Sequence, residues 1–348
     1  MIKSLIDPPK LKYGDKIAAV TLSWGGPAAY PYRYKIGKKR LEQIWGLNVI
    51  NTKHVFKSDE WLSKNPKAVA YDLMEAFLNP EIKAIFSTIG GNRAIALVPF
   101  IDISIIKNNP KIFLGYSDIT VIHFICLKAG LRSFYGPSIM TAFAENVNMH
   151  NYTMQGIDQN LFISKQVKSI PSNKEGWTNQ FLDWSNRKNQ KIKRTLYNNS
   201  SWYFIGNVQQ IVRGRLIGGC LEVLNSLVDD SMIWPNFLVW KKNILFLEIT
   251  DSNRGITIIK NFMKSLYRKK ILQNLSGILF SKPGGKYVNI SHFKVYERIL
   301  INIFNEYKLP LIPIITRMDF GHTEPMWTLQ YGTLVEINPN NKTLNILL

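Results

Sequence analysis

Three side chains in this 348-residue chain could together hydrolyse an acyl bond, and they lie far apart in sequence. Ser117 falls in the stretch Lys111 to Thr120, an apolar run that turns at Gly115. A helical pattern then begins, with Ile119, Val121, Ile122, Phe124 and Ile125. A buried strand feeding a helix puts the junction residue at the carboxyl edge of a sheet, beside N–H groups that the first helical turn leaves unpaired. Such a position suits a nucleophile whose product is an oxyanion. It equally suits Ser117 or Asp118 as a plain helix N-cap, and the stretch alone leaves both readings open.

A serine nucleophile needs an imidazole base and a group that orients it. The chain has five histidines. His123 lies inside the apolar helix after Ser117, and His54, His150 and His292 sit in polar, surface-like contexts. His322 follows an apolar strand and Gly321, in a loop from which a side chain can enter a cleft. It is the best base by elimination, with a structural loop histidine as the alternative. Glu248 closes the apolar strand Ile244 to Leu247, where a carboxylate needs a partner. His322 would satisfy it and gain a fixed tautomer. A salt bridge to one of the many lysines or arginines would also do.

The elements that must position these residues alternate. Strands are predicted over Lys16–Leu22, Leu47–Thr52 and Ile82–Ile89, and helices over Tyr34–Trp45, Lys67–Leu78 and from Ala94. With the 111–130 unit they form βαβ units and a mainly parallel sheet. Ligands bind outside the carboxyl ends of such strands, here the loops 23–27, 90–93 and 116–118. Residues 148–207 are polar, weakly periodic and carry Trp177, Trp184 and Trp202, so they read as a linker plus loops. From Gln209 the pattern becomes a second, smaller mixed α/β region. It has strands at Val212–Cys220, Ile244–Leu247, Ser276–Phe280, Leu311–Ile315, Gly332–Ile337 and Leu344–Leu348. Helices are predicted at Leu221–Val228, Thr257–Leu266 and Tyr296–Phe304. The expected division is 1–150, carrying the nucleophile, 151–207 as a linker and substrate-loop region, and 208–348, carrying Glu248 and His322.

Composition narrows the function classes. Cys126 and Cys220 are the two cysteines, far apart and without metal-ligand spacing, so neither a disulfide framework nor a metal site is expected. No signal peptide and no run of about 18 apolar residues is found, which makes a cytoplasmic protein off the membrane the expectation. The charge is +20, from 44 basic and 24 acidic residues. The lysines are dispersed and no nucleic-acid-binding signature accompanies them, so specific nucleic-acid binding is not expected.

Gly115-Tyr116-Ser117-Asp118, Ile89-Gly90-Gly91, Gly218-Gly219, Leu245-Phe246-Leu247-Glu248 and Phe320-Gly321-His322-Thr323 resemble, in order and spacing, the motifs of the LD-carboxypeptidase family of serine peptidases, which includes the microcin C self-immunity peptidases. The resemblance implies an N-terminal Rossmann-like or flavodoxin-like parallel-sheet domain and a C-terminal swivelling mixed β/α domain. It implies a Ser-Glu-His triad of Ser117, Glu248 and His322, and an oxyanion hole from the backbone N–H groups of Gly91 and Asp118. No metal or cofactor and a homodimer are implied as well. Cys220 stands where family members often carry Asn, a departure that bears on specificity if the side chain touches substrate. The expected activity is amide hydrolysis. The long insertion with Asp183-Trp184 resembles the immunity branch, whose substrates are small aminoacyl-nucleotide conjugates. Trp184, and next Trp202, are then the expected stacking residues, with a purely anchoring role as the alternative for each. Cleavage of murein tetrapeptides in cell-wall recycling is the alternative substrate. A non-catalytic small-molecule binding protein is the alternative of another class.

Overall fold

The computed structural model describes residues 5–163, 168–198, 201–206, 210–286 and 288–347, and for 252–254 the backbone only. The first sheet is built from β1 (Lys16–Val20), β2 (Asn48–Asn51), β3 (Ile82–Ser87), β4 (Ile112–Gly115) and β5 (Phe134–Tyr135). These five strands are mutually parallel in the order β5-β4-β3-β1-β2. Ile17, Ala18, Ala19 and Val20, and all of Ile112–Gly115, are buried, as strands covered on both faces require. The covering helices are Pro31–Trp45, Pro66–Leu78, Ile103–Asn108 and Thr120–Ala129.

The second sheet contains β6 (Tyr203–Ile205), β7 (Val212–Cys220), β8 (Ile244–Glu248), β9 (Gly277–Ser281) and β10 (Ile314–Met318). After a two-residue strand, β11 (Leu329–Gln330), it is completed by β12 (Leu334–Asn338) and β13 (Thr343–Ile346). Its order is β13-β12-β7-β8-β9-β10-β6. The run β7-β8-β9-β10 is parallel, and β6, β12 and β13 pair antiparallel. Helices Leu221–Leu227, Ser252–Arg268 and Ile290–Glu306 accompany it. β11 leaves this half and pairs antiparallel with β5, so the late chain adds the sixth strand of the first sheet. One apolar core runs from Leu5 through Phe113 and Phe124 to Phe246 and Leu344, across both sheets.

The stretch 148–207 is more ordered than its weak periodicity predicts. Asn151–Ile157 is α-helical and continues as a π-turn to Phe162, Arg187–Lys191 is a 3₁₀ turn, and Tyr203–Ile205 is a strand. The helical piece buries Tyr152, Ile157 and Leu161, and Tyr203–Ile205 is held by antiparallel pairing with β10, tertiary contacts that no local pattern reports. Residues 164–167, 199–200 and 207 of that stretch, and Leu348 at the end of the last expected strand, lie outside the described residues.

Candidate active site

The carboxyl edges of the two sheets meet, and the candidate residues stand at that seam. β4 ends at Gly115, and Ser117 follows with φ +65°. A non-glycine residue held there carries backbone strain of about 1–3 kcal/mol, and such strain gathers at functional turns. Neither serine nor aspartate caps the following helix: Tyr116 and Ile119 occupy the cap positions without side-chain cap bonds. Asp118 instead accepts Ser23 Oγ at 2.6 Å and the backbone N–H groups of Arg93 and Ala94, both at 2.7 Å. Its carboxylate thus ties the loops after β1 and β3 to the serine turn.

The loop after β3 packs directly on Ser117. A Cβ on Gly90 would come within 2.9 Å of Ser117 Cβ and 3.1 Å of its Oγ, so only glycine lets that backbone approach. Among the described residues, the N–H groups of Gly91 and Asp118 have no hydrogen-bond acceptor. Asp118 adjoins Ser117 in the chain and Gly91 follows the glycine that packs on it.

Glu248, at the end of β8, is fully buried. His322 Nδ1 lies 2.6 Å from its Oε2, and Tyr135 Oη donates to its Oε1 at 2.6 Å. The salt-bridge alternative for Glu248 therefore fails: both oxygens are taken by a histidine and a tyrosine. Tyr135 also accepts the Ser117 N–H at 3.1 Å. One phenol thereby links the backbone of the serine to the carboxylate that holds the histidine. The Tyr116 ring faces the His322 ring with centroids 5.0 Å apart. With Nδ1 on Glu248, Nε2 is the ring nitrogen left for proton transfer. Burial pulls the His322 pKa down, but the Glu248 carboxylate at hydrogen-bond distance outweighs it, and the net shift is upward. Gly321 (φ +86°) makes the turn feasible, since a Cβ there would meet Glu248 Cβ at 2.6 Å.

His322 opens onto a cavity of about 140 Å³ whose walls include Tyr116, Arg33, Trp184, Arg194 and Glu324. Trp184 is packed by Tyr30, edge-on at 5.8 Å, and by the Arg33 guanidinium 4.2 Å over its ring. Trp202 is elsewhere: its indole N–H donates to Asp319 Oδ2 at 3.0 Å and it does not line this cavity. The anchoring alternative describes it. Cys220 is buried below the seam, its N–H on Thr120 Oγ1 at 3.1 Å and its Sγ 3.2 Å from Glu222 Oε2. Burial and the nearby Glu248 and Glu222 push its thiol pKa well up, and it too is absent from the cavity wall.

Two histidines that read as surface-like are not. His54 is bonded to Asp72 at 2.8 Å, and His150 stands between Glu145 and Glu175 with 9% of its side chain exposed. Asp72 and Glu175 lie 18 and 25 residues further along the chain, outside the local context of each histidine. His123 is the buried, neutral histidine expected, bonded to Ser133 Oγ and Gly115 O and pushed down to about 3 by burial. Tyr135, Arg33 and Glu324 carry no motif of their own, and sequence reasoning passes over them. Among the described residues, no group of His, Cys, Asp and Glu is arranged to hold a metal ion, and no helix is long and apolar enough to cross a membrane.

This fold and site define a serine peptidase, and the chain belongs to the LD-carboxypeptidase family. Residues 17–136 match the LD-carboxypeptidase N-terminal domain and residues 213–337 the LD-carboxypeptidase C-terminal domain. The microcin C7 self-immunity protein MccF of Escherichia coli is 30% identical over 337 residues, covering 97% of this chain and 94% of that one. A putative carboxypeptidase of Vibrio cholerae is 29% identical over 339 residues, 97% of this chain and 96% of the relative. The structure of MccF in complex with glutamyl sulfamoyl guanosine superposes with a TM-score of 0.85 at 28% identity, covering 99% of both chains.

Proposed function

We propose that this peptidase hydrolyses the amide bond of an aminoacyl-nucleotide-like conjugate through a triad of Ser117, His322 and Glu248. Ser117 Oγ attacks the carbonyl carbon while His322 Nε2 takes its proton. The carbonyl oxygen, now an oxyanion, is received by the N–H groups of Gly91 and Asp118. The imidazolium, held by Glu248, then protonates the leaving nitrogen as the C–N bond breaks. Water, deprotonated by the same imidazole, attacks the acyl-enzyme and frees Ser117. The observation that carries the chemistry is the 2.6 Å contact between His322 and a fully buried Glu248, beside a strained serine turn.

The nucleotide preference rests on Trp184, an aromatic wall on the cavity that His322 enters. MccF has been solved with glutamyl sulfamoyl guanosine and with aspartyl sulfamoyl adenosine, and a base stacked on an aromatic ring gains about 1–3 kcal/mol. A homodimer working in the cytoplasm belongs to the same reading, and light scattering at twice the monomer mass would bear out the dimer. The test is incubation with an aminoacyl-sulfamoyl adenosine and, separately, with a murein tetrapeptide, products being read by mass spectrometry. Cleavage of the conjugate is expected, with a loss of about 5–100-fold in kcat/KM on the conjugate alone for Trp184→Ala. Release of the terminal D-residue with no action on the conjugate, or an equal loss on both substrates, moves the assignment to the murein reading.

A further inference from the structure

Tyr135 stands in β5 opposite Gly115, the residue at which β4 ends and the serine turn begins. Its side chain is fully buried, with ring centroids 5.3 Å from Phe246, 5.5 Å from His123 and 6.3 Å from Tyr331. Those three rings hold the phenol in one place. A phenol has a single proton to donate. The Ser117 N–H, 3.1 Å from Tyr135 Oη, can only donate to it. The phenol proton therefore goes to Glu248 Oε1 at 2.6 Å, and the direction of both bonds is fixed. Burial, and after it the Glu248 charge, push the phenol pKa well above its ordinary value, so the proton stays on the oxygen at any pH near neutrality. The two bonds do different things. One restrains a peptide whose residue sits at φ +65°. The other draws negative charge off a carboxylate whose second oxygen meets His322 Nδ1 at 2.6 Å. Tyr135 is not on the wall of the cavity that His322 enters, so it acts through other residues.

We propose that Tyr135 is a positioning residue of the amide hydrolase: its hydroxyl tunes the basicity of His322 through Glu248 while it holds the Ser117 turn, so one side chain sets nucleophile and base together. The proposal deepens the Ser-His-Glu reading and rests on it. The more strongly the phenol donates, the less charge Glu248 keeps to hold a proton on His322. A weaker donor has the opposite effect. The other groups that face His322 are Glu222, Glu324 and the Tyr116 ring. Those that face Tyr135 besides Glu248 are Cys220, Tyr331 and His123. None of them changes when the hydroxyl alone is altered.

The experiment is the pH profile of kcat/KM on whichever of an aminoacyl-sulfamoyl adenosine and a murein tetrapeptide the wild type cleaves. It compares the wild type, Tyr135→Phe, and protein carrying 3-fluorotyrosine at position 135, whose more acidic phenol is the stronger donor. The acid limb is expected at lowest pH with fluorotyrosine, higher in the wild type and highest in Tyr135→Phe. In Tyr135→Phe, kcat is expected to fall by about 10–100-fold, the range for a hydrogen bond to a charged group, with KM within about threefold. The fluorotyrosine protein keeps both hydrogen bonds, so it carries the test even where Tyr135→Phe fails to fold. Three coincident acid limbs overturn the proposal, as does a limb that moves to lower pH in Tyr135→Phe. A raised KM at unchanged kcat overturns it too, because that is what a merely structural phenol would give. Full turnover in Ser117→Ala or His322→Ala overturns the triad and Tyr135 with it. A triad that passes those two controls with unmoved limbs overturns the Tyr135 proposal alone. Wild type acting on neither substrate overturns both.

Discussion

Ser117 combines a hydroxyl with a backbone conformation that side chains resist, and the two can be separated. Ser117→Ala and Ser117→Gly both delete the hydroxyl, but glycine alone accepts φ +65° without cost. Ser117→Gly is expected to be more stable than Ser117→Ala by about 1 kcal/mol, read as a denaturant midpoint with unchanged slope. Equal midpoints would mean that the turn is unstrained. His322 supplies the second residue-scale expectation. Its pKa is raised by Glu248 against the pull of burial, and in the proposed mechanism the neutral imidazole is the base. The rate constant kcat/KM should therefore fall as pH drops through that raised value. Glu248→Gln removes the upward push, so the acid limb moves to lower pH while the plateau falls by about 10²–10⁴-fold; His322→Ala should fall further. Stability has the opposite sense. The charged pair stabilises the fold fully below the unfolded histidine value of about 6.5, and this is lost as pH rises through the folded value. A pH profile of Glu248→Gln identical to the wild type would refute the pairing role.

At the scale of elements, what positions His322 is the end of β10 and the residues just past it. Asp319 binds the buried Lys282 Nζ at 2.5 Å and the Trp202 indole at 3.0 Å, and its carbonyl accepts the Trp327 N–H at 2.7 Å. Removing the carboxylate would strand a lysine with no exposed side-chain surface. Asp319→Ala is expected to cost about 3–5 kcal/mol, whereas a change below about 1 kcal/mol in chemical unfolding would show the node to be dispensable. The strands and helices that flank Ser117 and Glu248 were legible because each has a strong period or a continuous apolar run, whereas the strand before His322, expected at Leu311–Ile315, lies at Ile314–Met318. The junction at 111–130 is one such case, and the strand ending at Glu248 is another. The two-residue strands β5 and β11 are too short to leave a pattern. With β5 went Tyr135, whose role exists only because β5 lies beside β4 and faces Glu248. The sequence ranked Trp184 ahead of Trp202 but left an anchoring role open for both, and the partners Asp319 and Arg33, distant along the chain, separate an anchor from a cavity wall.

At the scale of the molecule, neither sheet holds the proposed site alone. The first contributes the serine turn, the paired glycines and Tyr135, and the second contributes Glu248 and His322. Thr120 Oγ1 on the Cys220 N–H and Tyr331 Oη on the Gly218 carbonyl lock the two edges in register. The central claim is that this seam makes Ser117 a nucleophile, and the most direct measurement is the intact mass of the protein after reaction with a serine-directed phosphonate. One adduct is expected, mapping to the peptide that contains Ser117, absent in Ser117→Ala and formed far more slowly in His322→Ala. No adduct on the wild type, or an undiminished adduct on Ser117→Ala, would contradict it.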